Sequence, residues 1–392
     1  MSQQQPDRSA LFELGFRPFF LAGAIFATLA IPLWIAAWLG LAGSWQPVGG
    51  WLAWHMHEML FGFVAAIVAG FLLTAVQNWT GVPGLKGRPL IALAAVWLLA
   101  RLAWLAALPV WLVVTLDMLF LPAVALVMAR SVWIARQPRN YPIVLVLILL
   151  ALCNLASLMG LAQGDFTLQR QGNIGALWLV AALMSIIGGR VIPFFTQRGL
   201  DLPQPIPALP WLDHLLLAGS IAVALLMLGG IALQPSVDMG LLFALLGAGH
   251  MARLLLWHHP RIWQVPLLWS LHLAYAWLII ALYAMALWNA GWLISFSQAI
   301  HLLTIGSMSG LILAMIARVS LGHTGRPLKP APAISAAFIL LNLAVPARVW
   351  IATQWPQTGF WLAALCWGGA FALFVWHYAG MLYRPRPDGR PG

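Results

Sequence analysis

Twelve apolar stretches, each long enough at 1.5 Å per residue to cross the hydrocarbon core of a bilayer, follow one another along this chain. They lie near 18–40, 53–76, 90–108, 110–130, 142–162, 172–195, 211–232, 237–257, 265–288, 292–318, 332–353 and 358–383. Inside a membrane every backbone amide and carbonyl must find a partner within the protein, which leaves only helices and closed barrels. Stretches of about 20 residues rather than about 10 select helices. The expected fold is all-α: one transmembrane helical domain over 1–392, a polytopic membrane protein with about twelve transmembrane helices. Breaker-rich connections such as GVPGLKGRP (81–89) and DLPQPIPALP (201–210) separate the stretches. A soluble domain carries about 25% charged residues; here the figure is 7%.

The net charge of +11 does not point to nucleic acid, because the basic residues lie singly in short loops rather than on one patch. Their distribution sets an orientation instead. With the N-terminus inside, 17 of the 20 Lys and Arg residues fall on the cytoplasmic side, and only Arg101, Arg170 and Arg348 fall on the other. Both termini are therefore expected in the cytoplasm, and the even number of spans agrees. The 23 tryptophans, many near span ends, fit aromatic belts at both interfaces. The opening MSQQQPDRSALFELGFRPFF is polar and then amphipathic, so no cleavable signal peptide is expected there. Cys153 and Cys366 both fall in apolar runs and read as small buried hydrophobes. No Gly-rich nucleotide loop joins a strand to a helix, and no internal repeat is evident.

The residues that could carry chemistry are the histidines inside the spans, since an ionisable group in hydrocarbon is costly and marks a functional site by default. Imidazole is also the commonest nitrogen ligand of haem iron and copper. Trp54-His55-Met56-His57-Glu58-Met59 opens the second span. Residues two apart on a helix point about 200° apart, so His55 and His57 cannot share one metal unless the helix start is unwound. Two arrangements remain: one ligates and the other meets the interface, or the pair serves two centres on opposite sides. Glu58 beside them is the candidate to orient an imidazole or carry protons. The alternative is a set of interfacial side chains bonded to headgroups and loops.

His301 lies in the tenth span, ahead of a GxxxG at Gly306 and Gly310 that would admit a neighbouring backbone or a flat macrocycle. At 1.5 Å per residue it sits about 13 Å deep and His57 about 6 Å deep on the same side, a gap that helix tilt reduces. One haem between His57 and His301 is the expected pairing. His250 and His272 stand eleven residues on either side of Arg261, at equal depth on adjacent antiparallel spans, where they could share a metal or a hydrogen bond. By the same symmetry about Pro109, Arg101 and Asp117 are expected to form a buried ion pair. His258 and His259 read as surface loop residues. Gly188-Gly189-Arg190 with Pro193 is expected to break or kink the sixth span.

These segments resemble a known family. RPFF (17–20), WHMHEM (54–59), GFLLTAVQNWTG (70–81), GGRVIPFFT (188–196) and HLLTIGSMSGLILAMIARVSLGHTGRPL (301–328) are similar to the NnrS family, over nearly the whole chain from the first span through the tenth. The resemblance implies a bacterial inner-membrane protein containing haem b and copper, with a role in nitric oxide metabolism or resistance alongside denitrification. It raises His323 from a surface residue to a candidate metal ligand, and Arg318 and Arg326 also lie inside the matching motif. The His-x-His on one helix also resembles haem–copper oxidases and nitric oxide reductases, where such a pair serves two haems. The order of the other histidines and the lack of an adjacent-histidine pair inside a span depart from that pattern.

The reading is a protein that binds nitric oxide and reduces or otherwise detoxifies it in the lipid bilayer, an oxidoreductase of the nitric oxide reductase type being one form of it. His57 and His301 are the first haem ligands considered, His55 and His272 further ligands of haem or metal, His323 a further metal ligand, and Glu58 the proton carrier. Electrons would come from quinol or a donor protein. Two alternatives stay open: a transporter for a metal or nitrosylated metal complex, and a haem-based nitric oxide sensor without turnover.

Overall fold

An apolar run that must satisfy its own amides does so as a helix, and this chain does so throughout. The computed structural model describes residues 9–292 and 294–389 and holds twelve helices long and apolar enough to cross a membrane, with no strand among the described residues. They are α1 Phe16–Trp38, α2 Gly50–Thr80, α3 Arg88–Leu105, α4 Val110–Ile134, α5 Pro138–Gln163 and α6 Phe166–Gly199. Then follow α7 Pro210–Leu228, α8 Val237–Trp257, α9 Pro266–Asn289, α10 Phe296–His323, α11 Pro332–Gln354 and α12 Pro356–Tyr383. Arg8 and Arg390, two of the residues assigned to the cytoplasmic side, lie outside the described residues.

The two ends of the array are tied to one another. Ala10 N donates to Tyr383 O at 2.8 Å, and the Arg17 guanidinium donates to the carbonyls of Met381, Leu382 and Arg384 at the end of α12. Free carbonyls at a helix end need such donors, and a cation there also meets the negative end of the helix dipole. Both termini therefore share one face of the bundle, here called the terminal face; the opposite face is the distal one.

α2 and α10 are the central helices, with 78% and 83% of their apolar windows buried against 33% for α7 and α8. α1 packs on α12 and α2, α5 on α6, α6 on α7, α8 on α9 and α9 on α10. The outward faces carry leucine and tryptophan, among them Leu126, Trp133 and Trp376, as lipid contact allows. Within α2, α10 and α11 the helix loosens into π-helical turns at Glu58–Val64, Leu302–Ser309 and Ala347–Ile351. Each inserts a residue into the ordinary turn, a feature frequent at functional sites.

Three expectations are corrected. α2 and α6 run to 31 and 34 residues, beyond the predicted 53–76 and 172–195, because polar residues continue the helix past its apolar window. α6 is continuous through Gly188, Gly189 and Pro193 rather than broken. The two glycines serve packing: Gly188 lies against the Tyr275 ring, and the Arg253 guanidinium occupies the space a Cβ on Gly189 would need. The GxxxG of α10 is filled by α9, with Trp277 over Gly306 and Ala274 over Gly310, so helix packing rather than a macrocycle uses it.

Candidate functional site

The distal half of the bundle holds two groups of side chains on opposite sides of α2. On one side His55 stacks face to face on Trp34 of α1, with centroids 4.7 Å apart and planes 5° apart. His55 Nδ1 is buried and has no hydrogen-bond partner. His301 of α10 and Arg348 of α11 stand close enough to His55 to interact with it electrostatically. Ser297 links those two: His301 Nδ1 donates to its carbonyl at 2.6 Å, and Arg348 Nη2 donates to its hydroxyl at 3.1 Å. The start of α10 is fixed by a capping box between Ser295 and Gln298, and Gln298 Nε2 donates to Val349 O at 2.8 Å. Thus a cap and a cross-helix bond hold His301 opposite the π-helical turn that carries Arg348. With its Nδ1 engaged, His301 keeps Nε2 for another partner.

On the other side of α2, His57 is fully buried, with Trp104 stacked at 4.5 Å and Phe61 at 4.9 Å. Its Nδ1 lies 3.0 Å from Glu58 Oε1 and its Nε2 2.9 Å from Asn154 Oδ1. Glu58 Oε2 in turn meets Arg101 Nε at 2.6 Å, and the Arg101 guanidinium pairs with Asp117. Arg101 Nη1 also donates to Phe61 O at 3.0 Å, and Trp104 Nε1 donates to the second Asp117 oxygen at 2.6 Å. A chain of polar contacts therefore runs Asn154–His57–Glu58–Arg101–Asp117–Trp104 across α5, α2, α3 and α4. Gly62 makes room for it, since a Cβ there would lie 3.1 Å from Glu58 Oε2 and 3.2 Å from Arg101 Cδ. One guanidinium between two carboxylates, each hydrogen-bonded, is how a bilayer interior tolerates such charges.

His57, Glu58 and Asp117 each offer a ligand atom within 4.8 Å of the others, the spacing of a metal site. The Arg101 guanidinium already bridges the two carboxylates, so a cation of the protein itself holds the position a metal ion would take. Both nitrogens of His57 are engaged as well.

His57 turns toward α3 and α5 with both ring nitrogens engaged, whereas His55, on the other side of α2, lies within electrostatic range of His301. His55 and His57 do face opposite sides of α2, one of the two arrangements their spacing allowed. His272 is elsewhere, its Nδ1 3.0 Å from Leu268 O and its Nε2 3.3 Å from Trp257 O. His250 bonds Tyr275 Oη at 2.6 Å rather than His272. His323 ends α10 on the terminal face, its ring 5.5 Å from that of Phe16. Arg101 and Asp117 form the buried ion pair that their symmetry about Pro109 predicts.

Sequence reasoning passed over Trp34, Asn154 and Arg348. A signal for Arg348 was present: it and Arg101 are two of the three basic residues on the sparsely charged side, and each faces one of the two groups. The third, Arg170, lies over the Phe296 ring at 5.1 Å.

The fold and site define a multi-pass α-helical membrane protein with two histidine-centred polar groups buried near one face. The profile of the NnrS family, described as NnrS protein, matches residues 10–386, and the chain belongs to that family. Membership brings with it the nitric oxide context of the family. No curated protein matches the chain.

Proposed function

We propose that this protein binds haem b and copper in a bacterial inner membrane, with both termini in the cytoplasm, and that it binds nitric oxide and reduces or otherwise disposes of it. The observation carrying this reading is that His55 and His301, on the two central helices, lie within electrostatic range of one another, each with a ring nitrogen that no described residue engages. The residues fit such a group: an orphaned buried nitrogen on His55 costs free energy unless something ligates it. Arg348 beside the pair supplies a cation for an anionic substituent such as a haem propionate. When bound, the metal supplies a coordination position for the gas and a redox couple. The 17-to-3 division of basic residues supports the orientation.

His57 and Glu58 take another part in this reading. Reduction of nitric oxide consumes protons, and Glu58, joined to His57 and Arg101 within one network across α2, is the acid assigned to passing them. Electrons come from quinol or a donor protein. A small apolar gas needs no polar vestibule and reaches the site from lipid. His272 and His323 are left out of this ligand set, because carbonyls lie against both ring nitrogens of His272 and His323 ends α10 on the terminal face.

The test is an optical spectrum of the detergent-purified protein, oxidised and reduced, then titrated anaerobically with nitric oxide. Reduced b-type bands that shift with the gas are expected in the wild type. His55→Ala and His301→Ala should each lose the haem bands while His57→Ala and His272→Ala retain them. Full retention in both of the first two variants sinks the ligand assignment. A featureless wild-type spectrum from haem-replete cells would replace this reading with metal transport.

A further inference from the structure

Four arginines are buried among the described residues: Arg17, Arg101, Arg253 and Arg318. Arg17 donates to three carbonyls. Arg101 meets two carboxylates. Arg253 meets Asp213 and donates to Ser185. Arg318, only 6% exposed, has no hydrogen bond or ion pair with any described residue; its guanidinium lies over the Phe195 ring at 3.9 Å. A cation in a low-dielectric interior without an anion or acceptor is costly, and a ring face offsets only part of that cost. The missing partner is therefore an anion or another hydrogen-bond acceptor, and an anion also balances the charge.

What lies next to it says what kind. A partly open cleft with a cavity volume of about 90 Å³ runs between α1, α2, α6 and α10, lined by apolar side chains including Phe20, Val64, Val191, Met308 and Met315. Arg318 is three residues beyond Met315 on α10, and Phe195 four beyond Val191 on α6, so the stacked pair lies one turn past the lining at the terminal-face end. Arg318 is also five residues from the end of α10, which puts it about 7 Å inside that face, near the boundary of headgroup and acyl chain. The same face carries most of the basic residues, and the leaflet on such a face is rich in anionic lipid.

We infer that this cleft is a binding site for an anionic phospholipid, one acyl chain lying in the cleft and the phosphate on Arg318. The site is independent of the metal ligands, which are near the opposite face. A quinone would fill the same space and offer carbonyl acceptors but no negative charge, so it balances the guanidinium less well than a phosphate.

The test is native mass spectrometry of the full-length protein in detergent, titrated with phosphatidylglycerol and with phosphatidylcholine. The wild type should hold one phosphatidylglycerol per chain, at least about tenfold more tightly than phosphatidylcholine, as one charge-assisted hydrogen bond would give. Arg318→Gln should abolish that preference and Arg318→Lys should keep it. Val191→Trp, which fills the cleft and leaves Arg318 in place, should weaken both lipids. An unchanged preference in Arg318→Gln overturns the proposal. So does displacement of phosphatidylglycerol, mole for mole, by a ubiquinone-type quinone. If Arg318→Gln does not fold, the Lys and Trp variants decide the matter: a Lys variant without preference, or a Trp variant with wild-type binding, refutes the site.

Discussion

Arg101→Met should sharply lower the stability of the folded protein. The substitution keeps the length and apolar stem of the side chain but removes the one cation among the described residues that touches both Glu58 and Asp117. Two carboxylates would then face one another in a site from which water is excluded, and the Phe61 carbonyl would lose its donor. Removing one partner of a buried pair costs about 3–5 kcal/mol, a large part of the about 5–15 kcal/mol that holds a typical protein together. Asp117→Asn is the informative contrast, since Arg101 then keeps Glu58 and Phe61 O and loses only one charge. Its expected cost is about 1–3 kcal/mol, that of a weakened buried hydrogen bond. Thermal unfolding followed by size-exclusion chromatography in detergent ranks the two. A melting temperature for Arg101→Met equal to that of Asp117→Asn would show that the guanidinium is not the keystone of the network.

Gly172→Leu should separate α5 from α6 and disturb the site from outside it. A Cβ at Gly172 would lie 2.5 Å from Cys153 O, 2.5 Å from Ser157 N and 3.0 Å from Ser157 Cα. All three are backbone atoms of a neighbouring helix, so no side-chain rotation relieves the clash. Overpacking ordinarily costs about 1–3 kcal/mol, and sometimes more; with a rigid helix as the obstacle the upper end is expected. Small residues at such crossings are what allow membrane helices to exploit close packing. The displaced segment of α5 includes Asn154, whose amide meets His57, and the Asn173–Ser157 bond at 3.0 Å would break. Gly380→Leu is the control, because nothing lies within 4 Å of a Cβ at that position. Equal melting temperatures for the two variants would refute the crossing as the cause.

Depth along the membrane normal was legible in the sequence because hydropathy, chain length and charge all run along the helix axis. Twelve helices followed from apolar length alone. The Arg101–Asp117 pair followed from equal distances to Pro109, and the placing of both termini on one face from an even count of spans. Even Arg348 was marked, as an exception to the charge bias. Azimuth was not legible. Which residue faces which neighbour depends on the phase of each helix, and a π-helical turn shifts that phase by a residue in a way that a 3.6-residue period does not register. Such turns follow directly on His57 and His301 and contain Arg348. The nitrogens of His272 lie against carbonyls that no pattern along the chain could specify. The GxxxG and the double glycine were visible as small residues, but the helix that fills each is a matter of packing. The sequence thus determined what crosses the membrane and at what level each polar group lies; the tertiary structure alone decided which polar groups meet, because that depends on helix rotation and on contacts between residues far apart in the chain.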